Sequence, residues 1–339
     1  MTVTFAEKLA RIPGYQAGVP TGQAPEAIAS GEIAQLASNE SPFPPHPKVV
    51  DAIRGAAAAM NRYPDPGATL LRQRIADRYE TEPGRVAVGN GSCEILLAAA
   101  EALCEPGAEI VYAWPSFSMY PHLAALTGAR EVRVPLADGE VHDLDAMATE
   151  VTAATQLVLV CNPNNPTGTH LPAAQIAAFC ERLPEHVTVA LDEAYVEFQT
   201  DDDPDATVDL LAEFPNLVVL RTFSKVYGLA GLRIGYALGS PEIADALSRV
   251  RPIFNVNSAA QEAALASLDC EAEIAERVGH ARAARDFLGQ GLAAQGLDPV
   301  SSQANFVYAD VPDGDGAGLA DRLLRAGFIV RSLEGFGAP

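Results

Sequence analysis

Positive charge is scarce in this chain. Of its 339 residues only 23 are Lys or Arg, against 44 Asp or Glu, which leaves a formal net charge of -21. A surface of that sign repels a phosphate backbone, whose grip on proteins rests on Lys and Arg contacts, so nucleic acid is excluded as a partner. A local basic pocket for a small anion is not. Cysteine is also sparse: the five residues Cys93, Cys104, Cys161, Cys180 and Cys270 are odd in number, widely spaced and never in a C-x-x-C arrangement. That argues against a disulfide framework and a zinc knuckle and fits a reducing cytoplasm. The six histidines show no metal spacing, and no metal site is expected. Long apolar runs are missing too, none approaching the roughly 18 residues that span a bilayer. The start, MTVTFAEKLARIPGY, has no basic region followed by an apolar stretch. Membrane insertion and secretion are therefore not expected.

What the chain does have is a 48% hydrophobic and 20% charged composition, well inside the range of chains that bury a core. Its length is about twice a typical domain of roughly 150 residues. Short apolar runs alternate with Ala-rich amphipathic segments, the rhythm of an α/β fold with helices on a mostly parallel sheet. Strands are expected at 85–88, 109–112, 156–160, 187–191, 217–220 and 232–238, most of them continuously apolar as strands buried on both faces must be. Helices are expected at 68–79, 93–103, 173–182 and 241–250, with a long Ala-rich one at 258–295. The first 45 residues, including LASNESPFPPHP, read as an extended arm. The acidic tract TDDDPD at 200–205 reads as a solvated loop.

Several apolar strands run directly into polar, Gly- or Pro-rich clusters at their carboxyl ends, the edge of an open α/β sheet where ligands bind. The first is GNGSCE at 89–94, where two glycines allow a tight turn and Ser92 can cap a helix whose N-terminus suits a phosphate. Its pattern lacks the third glycine of a dinucleotide fingerprint, which disfavours a nicotinamide enzyme. The second is CNPNNPTG at 161–168, whose prolines stiffen a turn that points asparagine amides off the sheet. The third, DEAY at 192–195, puts the Asp192 carboxylate where a buried strand ends, and such a carboxylate needs a cationic partner or a structural ion pair. The fourth is RTFSK at 221–225 followed by VYGLAGLRIGY. Lys225 there stands among apolar residues and glycines, a setting in which an amine can lose its proton and form a Schiff base.

A phosphate cradle, a Schiff-base lysine, a carboxylate for a pyridinium nitrogen and an Asn–Tyr pair for a phenolic oxygen are together what pyridoxal phosphate requires of a protein. With LASNESPFPP, NRYPDPG at 61–67, GNGSCEIL, WPSFSMY at 114–120, CNPNNPTG, LDEAYVEF, RTFSKVYGLAGLRIGY and SQANFV at 302–307, the chain resembles the fold type I aminotransferases, in particular the histidinol-phosphate aminotransferase family and its aromatic aminotransferase relatives.

The resemblance implies a role for each matching residue. Lys225 holds pyridoxal 5'-phosphate and shuttles a proton; Asp192 keeps the pyridine nitrogen protonated; Asn165 and Tyr195 bind the ring's 3-hydroxyl oxygen; Phe117 stacks on the ring. The phosphate falls to the Ser92 and Cys93 amides, with Ser224 and Arg233 closing the cradle. The family usually has a polar residue where Cys93 stands, and a catalytic thiol is not implied. Tyr63 matches a tyrosine that reaches a neighbouring subunit's cofactor, which implies a homodimer, and Tyr15 and Arg331 match positions near the substrate. A large cofactor domain over 41–248 and a small domain from 1–40 and 249–339 are implied as well. The implied reaction moves an amino group between a small amino donor and a 2-oxo acid, with histidinol phosphate and 2-oxoglutarate first and an aromatic amino acid such as phenylalanine as the alternative. Resembling proteins continue past EGFGAP through an arginine-bearing strand and a final helix, so a truncated, non-catalytic binding protein is the alternative of another class.

Overall fold

The computed structural model describes residues 3–12, 33–312 and 314–334. Its strands are β1 (Ala34–Gln35), β2 (Val86–Gly89), β3 (Glu109–Trp114), β4 (Arg130–Pro135), β5 (Thr155–Cys161), β6 (Thr188–Asp192), β7 (Leu217–Thr222), β8 (Gly235–Leu238), β9 (Asp298–Pro299), β10 (Ala309–Asp310) and β11 (Phe328–Ile329). The helices are α1 (Pro47–Ala57), α2 (Thr69–Arg78), α3 (Ser92–Leu103), α4 (Tyr120–Thr127), α5 (Leu144–Thr149), α6 (Ala173–Cys180), α7 (Ala206–Asp209), α8 (Pro241–Val250), α9 (Ser258–Ser267), α10 (Glu271–Ala294) and α11 (Gly316–Arg325).

Seven strands form one sheet in the order β2-β8-β7-β6-β5-β3-β4. All neighbours run parallel except β8, which is antiparallel to both β2 and β7. Parallel strands are covered on both faces, so successive residues must be apolar in both directions. In β6 Ala190 joins the core beneath α3, α4 and α8, while Val189 and Leu191 join the opposite core with Ile176 and Phe179 of α6. A third cluster packs α1, α2 and α9 on the β2 end of the sheet through Val49, Leu71, Ile75 and Ala260. Away from the large sheet, β1 pairs with β11 in parallel and β9 with β10 in antiparallel fashion.

Three expectations need correction. The long helix expected over 258–295 is two: α9 ends at Ser267, and Cys270, at φ -110 and ψ 40, starts α10. Ala260, Ala263 and Ala264 of α9 are fully buried, so a straight continuation would drive Glu271 along the same buried path. The chain turns instead, with Leu268 and Cys270 tucked inside. The strand expected over 232–238 begins only at Gly235, because Ala230–Leu232 form a 3-10 turn and Arg233 takes a left-handed φ of 57. The tract 200–205 is more than a solvated loop: Asp205 pairs with buried Arg221 at 2.5 Å, and Asp202 Oδ2 accepts from Ala173 N at 2.9 Å at the start of α6.

Candidate active site

Because the sheet is parallel apart from β8, the carboxyl ends of β2, β5, β6 and β7 share one edge, and the amino end of the reversed β8 arrives there too. That brings Ser92, Asn165, Asp192, Ser224, Lys225 and Arg233 to one place.

The anion cradle is built at the start of α3. Gly91, at φ +81, precedes the helix, and Ser92 is its first residue, so the cap expected of the Ser92 hydroxyl does not form. No side chain caps this terminus, and its free N–H groups and positive dipole end remain open to an anion. Glu94 fixes the loop from behind, accepting from Asn90 N at 2.6 Å and from Asn255 Nδ2 at 2.5 Å. A Cβ at Gly91 would collide with the Arg233 guanidinium, which shows how closely that arginine lies against the turn. Arg233 Nη1 donates to Ser224 Oγ at 3.4 Å, and Ser224 is itself held by Thr222 Oγ1 at 3.0 Å. Cys93 is half-buried in the same first turn, and burial, with Asp192 nearby, pushes its thiol up. It stays protonated, as a group without a nucleophilic role should.

Asp192 ends β6 at 2% exposure. Its Oδ2 accepts from Tyr120 Oη at 3.4 Å, and its Oδ1 is buried with no hydrogen-bond partner. Burial raises its pKa to about 7, with Glu193 adding to the effect. The structural ion pair that could have claimed this carboxylate goes to its neighbour instead: Glu193 takes Arg221 at 2.8 Å, both fully buried. Asp192 is left with an unused, inward-facing oxygen.

In the 161–168 turn, Asn162 is spent on Leu171 and Asn164 on Pro115, Ser116 and Thr167. Only Asn165 turns to the site, donating from Nδ2 to Tyr195 Oη at 3.3 Å. Asn39 of the arm donates to the same oxygen at 3.3 Å, a partner that sequence reasoning missed; its only signal was its place in LASNESPFPP. Phe117 is half-buried and meets Tyr120 edge-on at 5.9 Å. Tyr120, absent from the expected set, is thereby both a wall and a donor to Asp192.

Lys225 follows β7, anchored by fully buried Phe223. Its Nζ donates to the carbonyls of Ser38 at 3.1 Å and Asn39 at 3.2 Å and lies 5.2 Å from the Tyr195 ring centre. Desolvation lowers its pKa to about 8, which puts a neutral amine within reach of physiological pH. Tyr63 is 81% exposed and stacks on Phe254 at 4.5 Å, away from this group. Arg331 is exposed just after β11, and Tyr15 lies outside the described residues.

Residues 32–339 match the model of the aminotransferases of class I and II. The chain belongs to that family. Among relatives of this aminotransferase, an aromatic amino acid aminotransferase of Streptomyces coelicolor is 44% identical over 97% of the chain and 90% of its own length. A histidinol-phosphate aminotransferase of Nitrosococcus oceani is 41% identical over 96% and 87%. The crystal structure of a histidinol-phosphate aminotransferase from Sinorhizobium meliloti in complex with pyridoxal-5'-phosphate superposes with a TM-score of 0.88 at 33% identity, covering 98% of this chain and 89% of that one.

Pyridoxal 5'-phosphate is the cofactor of this aminotransferase, and its site fits the group. The unpartnered Asp192 Oδ1 suits a pyridinium N–H, and the uncapped start of α3 beside Arg233 suits a phosphate. No helix among the described residues is long and apolar enough to cross a membrane.

The cradle depends on one glycine in β8. A Cβ at Gly235 would sit 2.7 Å from Ser92 N and 2.9 Å from Arg221 O, both backbone atoms that cannot swing aside. Gly235→Ala is therefore expected to destabilise the protein by about 1–3 kcal/mol and to weaken cofactor retention by displacing the start of α3. Urea unfolding and cofactor titration read the two effects, and an unchanged titration would show that the cradle tolerates the shift.

Proposed function

We propose that this aminotransferase takes amino donors bearing a planar ring, aromatic amino acids first, and passes the amino group to a 2-oxo acid. The similarity at 44% identity over 97% of the chain to an aromatic amino acid aminotransferase carries this reading. The site has an aromatic rim to match, with Phe306 edge-on against Tyr195 at 5.1 Å beside half-buried Phe117. Histidinol phosphate, placed first from the sequence, is the second reading, supported by the relative from Nitrosococcus oceani and the fold of the Sinorhizobium meliloti enzyme. In that second case histidine biosynthesis is the setting, and a cytoplasmic homodimer is proposed in both.

Bound at this site, pyridoxal 5'-phosphate supplies an electron sink for charge developing on the substrate carbon. In this reading the protein's part falls to the residues gathered at the sheet edge. Asp192, as carboxylate, accepts from the pyridine nitrogen and keeps that nitrogen protonated. Asn165 and Tyr195 hold the ring's 3-hydroxyl oxygen, and Phe117 covers one ring face. The Ser92 and Cys93 amides, Ser224 and Arg233 grip the phosphate. Lys225 would hold the cofactor, and its Nζ, when free and neutral, would serve as the base that takes a proton from the donor's α-carbon. Exposed Tyr63 is proposed to complete the phosphate site of a second copy, and Tyr15 and Arg331 are proposed to face the substrate.

The test is a half-reaction. Cofactor-loaded protein is mixed separately with phenylalanine and with histidinol phosphate, without an acceptor, and the visible band of the bound cofactor is followed. Faster loss with phenylalanine is expected. Loss with histidinol phosphate alone would move the enzyme to the second reading, and a band that neither amine discharges would favour the non-catalytic alternative.

A further inference from the structure

Asn305 lies in the loop between β9 and β10, and that loop is clamped to the cofactor edge. Gln303 N donates to Gly168 O at 2.6 Å, and Gln303 Oε1 accepts from Thr200 N at 2.9 Å. Ala304 is fully buried, and Phe306 packs against Tyr195. Asn305 is thus held between two anchors, and from there its Nδ2 donates to the Asn39 carbonyl at 3.2 Å. That same carbonyl receives Lys225 Nζ at 3.2 Å, and the preceding one, of Ser38, receives it at 3.1 Å. Asn39 has a left-handed φ of 52, a conformation that Asn tolerates better than most residues but that still needs outside support. Its side chain is tied to Tyr195 and its carbonyl to Asn305.

We propose that Asn305 is a positioning residue for Lys225: by holding the Asn39 carbonyl it keeps the Ser38 and Asn39 carbonyls together as a dock for the lysine ammonium whenever Nζ is free of the cofactor. An ammonium has three protons to place and no acceptors of its own. The titratable groups that face Nζ are Cys93, Glu40, Arg233 and Asp192, with the Tyr195 ring on one side, and none of them forms an ion pair with it among the described residues. The two carbonyls therefore carry the charged form. Hydrogen bonds to a charged form favour it, so they oppose the desolvation that pulls the lysine toward neutrality. Docked, the amine stays charged and parked; lifted from the dock, it is the stronger candidate to lose its proton and act as a base.

This inference rests on the reading of Lys225 as the cofactor lysine, and the test separates the two. Cofactor-free protein is mixed with pyridoxal 5'-phosphate across pH 6 to 10, and the rate of appearance of the visible band is taken as a ratio of variant to parent, so that the free cofactor's own titration cancels. With the dock loosened in Asn305→Leu, the inflection belonging to Lys225 is expected to fall by roughly half a pH unit or more. Asn305→Ser, smaller and still polar but too short to reach, is expected to do the same and serves if the leucine variant does not fold. A purely structural role would scale the rate equally at every pH and leave the inflection where it was; that result, or an upward shift, overturns the proposal. Lys225→Ala run alongside must develop no such band; if it does, the cofactor lysine is another residue, and it is the underlying assignment that fails.

Discussion

Lys225→Ala is expected to lose turnover by at least about 10⁴-fold, because covalent attachment and proton transfer are removed together. The structure makes the loss specific. Among the groups gathered at the sheet edge, Lys225 alone combines a neutral form accessible near pH 8 with a position between the arm carbonyls and the Tyr195 ring. Arg233, the other cation there, is committed to Ser224 and to the Ala230 carbonyl at 3.1 Å and cannot serve as a base. The variant should fold, since the lysine makes no ion pair among the described residues and its departure removes an amine that is costly to desolvate from a half-buried position. Steady-state assays with an aromatic donor, together with the absorbance of the protein mixed with cofactor, provide the check. Turnover at the parent rate would remove Lys225 from the mechanism.

Asp192→Asn is expected to move activity and stability in opposite directions. With an amide in place of the carboxylate, the pyridine nitrogen loses the partner that keeps it protonated, and turnover should fall by about 10²–10⁴-fold. The cofactor-free protein should meanwhile become more stable at high pH. The sign follows from linkage. Burial raises the Asp192 carboxyl to about 7 in the folded chain from an ordinary value of 3.8, so between those limits the folded state binds more protons than the unfolded one. Folding stability contributed by the protonated acid is complete below about pH 4 and is lost as pH rises toward 7. Above pH 7 the folded chain carries a buried, unpaired charge whose cost is on the order of a few kcal/mol. An uncharged side chain avoids it, and at pH 8 the cofactor-free variant should melt roughly 5 °C higher than the parent, with the gap closing near pH 4. A melting curve at each pH, with and without cofactor, decides the matter. Equal melting temperatures at pH 8 would mean that water or rearrangement already relieves the charge. Such a conflict is common where a site is kept strained for chemistry.

Much of this was legible in the sequence because the sheet is buried on both faces. Runs such as LVVL at 217–220 and VTVAL at 187–191 have to be strands, and whatever polar cluster follows each has to sit at the same edge. Lys225, Asp192 and the asparagine cluster at 161–168 were found that way, whereas Asn165 was singled out within that cluster by the family resemblance alone. The edge strand β4 was not: in REVRVP, Val132 and Val134 are buried while their neighbours are exposed, and so short an alternation carries little signal. Asn39 and Asn305 were hidden for a different reason. Each lies far along the chain from the lysine that they serve, 186 and 80 positions away, and neither residue type is unusual where it stands. Nor does adjacency in DEAY say which carboxylate takes the arginine; that depends on the alternation of β6, which turns Glu193 toward Arg221 and Asp192 toward Tyr120.

The reversal of β8 has a consequence for how the chain can vary. A connection between two parallel strands must cross from one edge of the sheet to the other, and its length can change without moving what lies at either end. The link from β7 to β8 never leaves the ligand edge, since its two strands are antiparallel. It carries Ser224, Lys225 and Arg233 within a single excursion of twelve residues, from 223 to 234. Lengthening it by one residue would leave every strand pair intact and still misplace the arginine relative to the lysine. Insertions that other surface loops absorb as neutral drift are thus barred here by geometry, so this segment has a fixed length as well as a fixed composition.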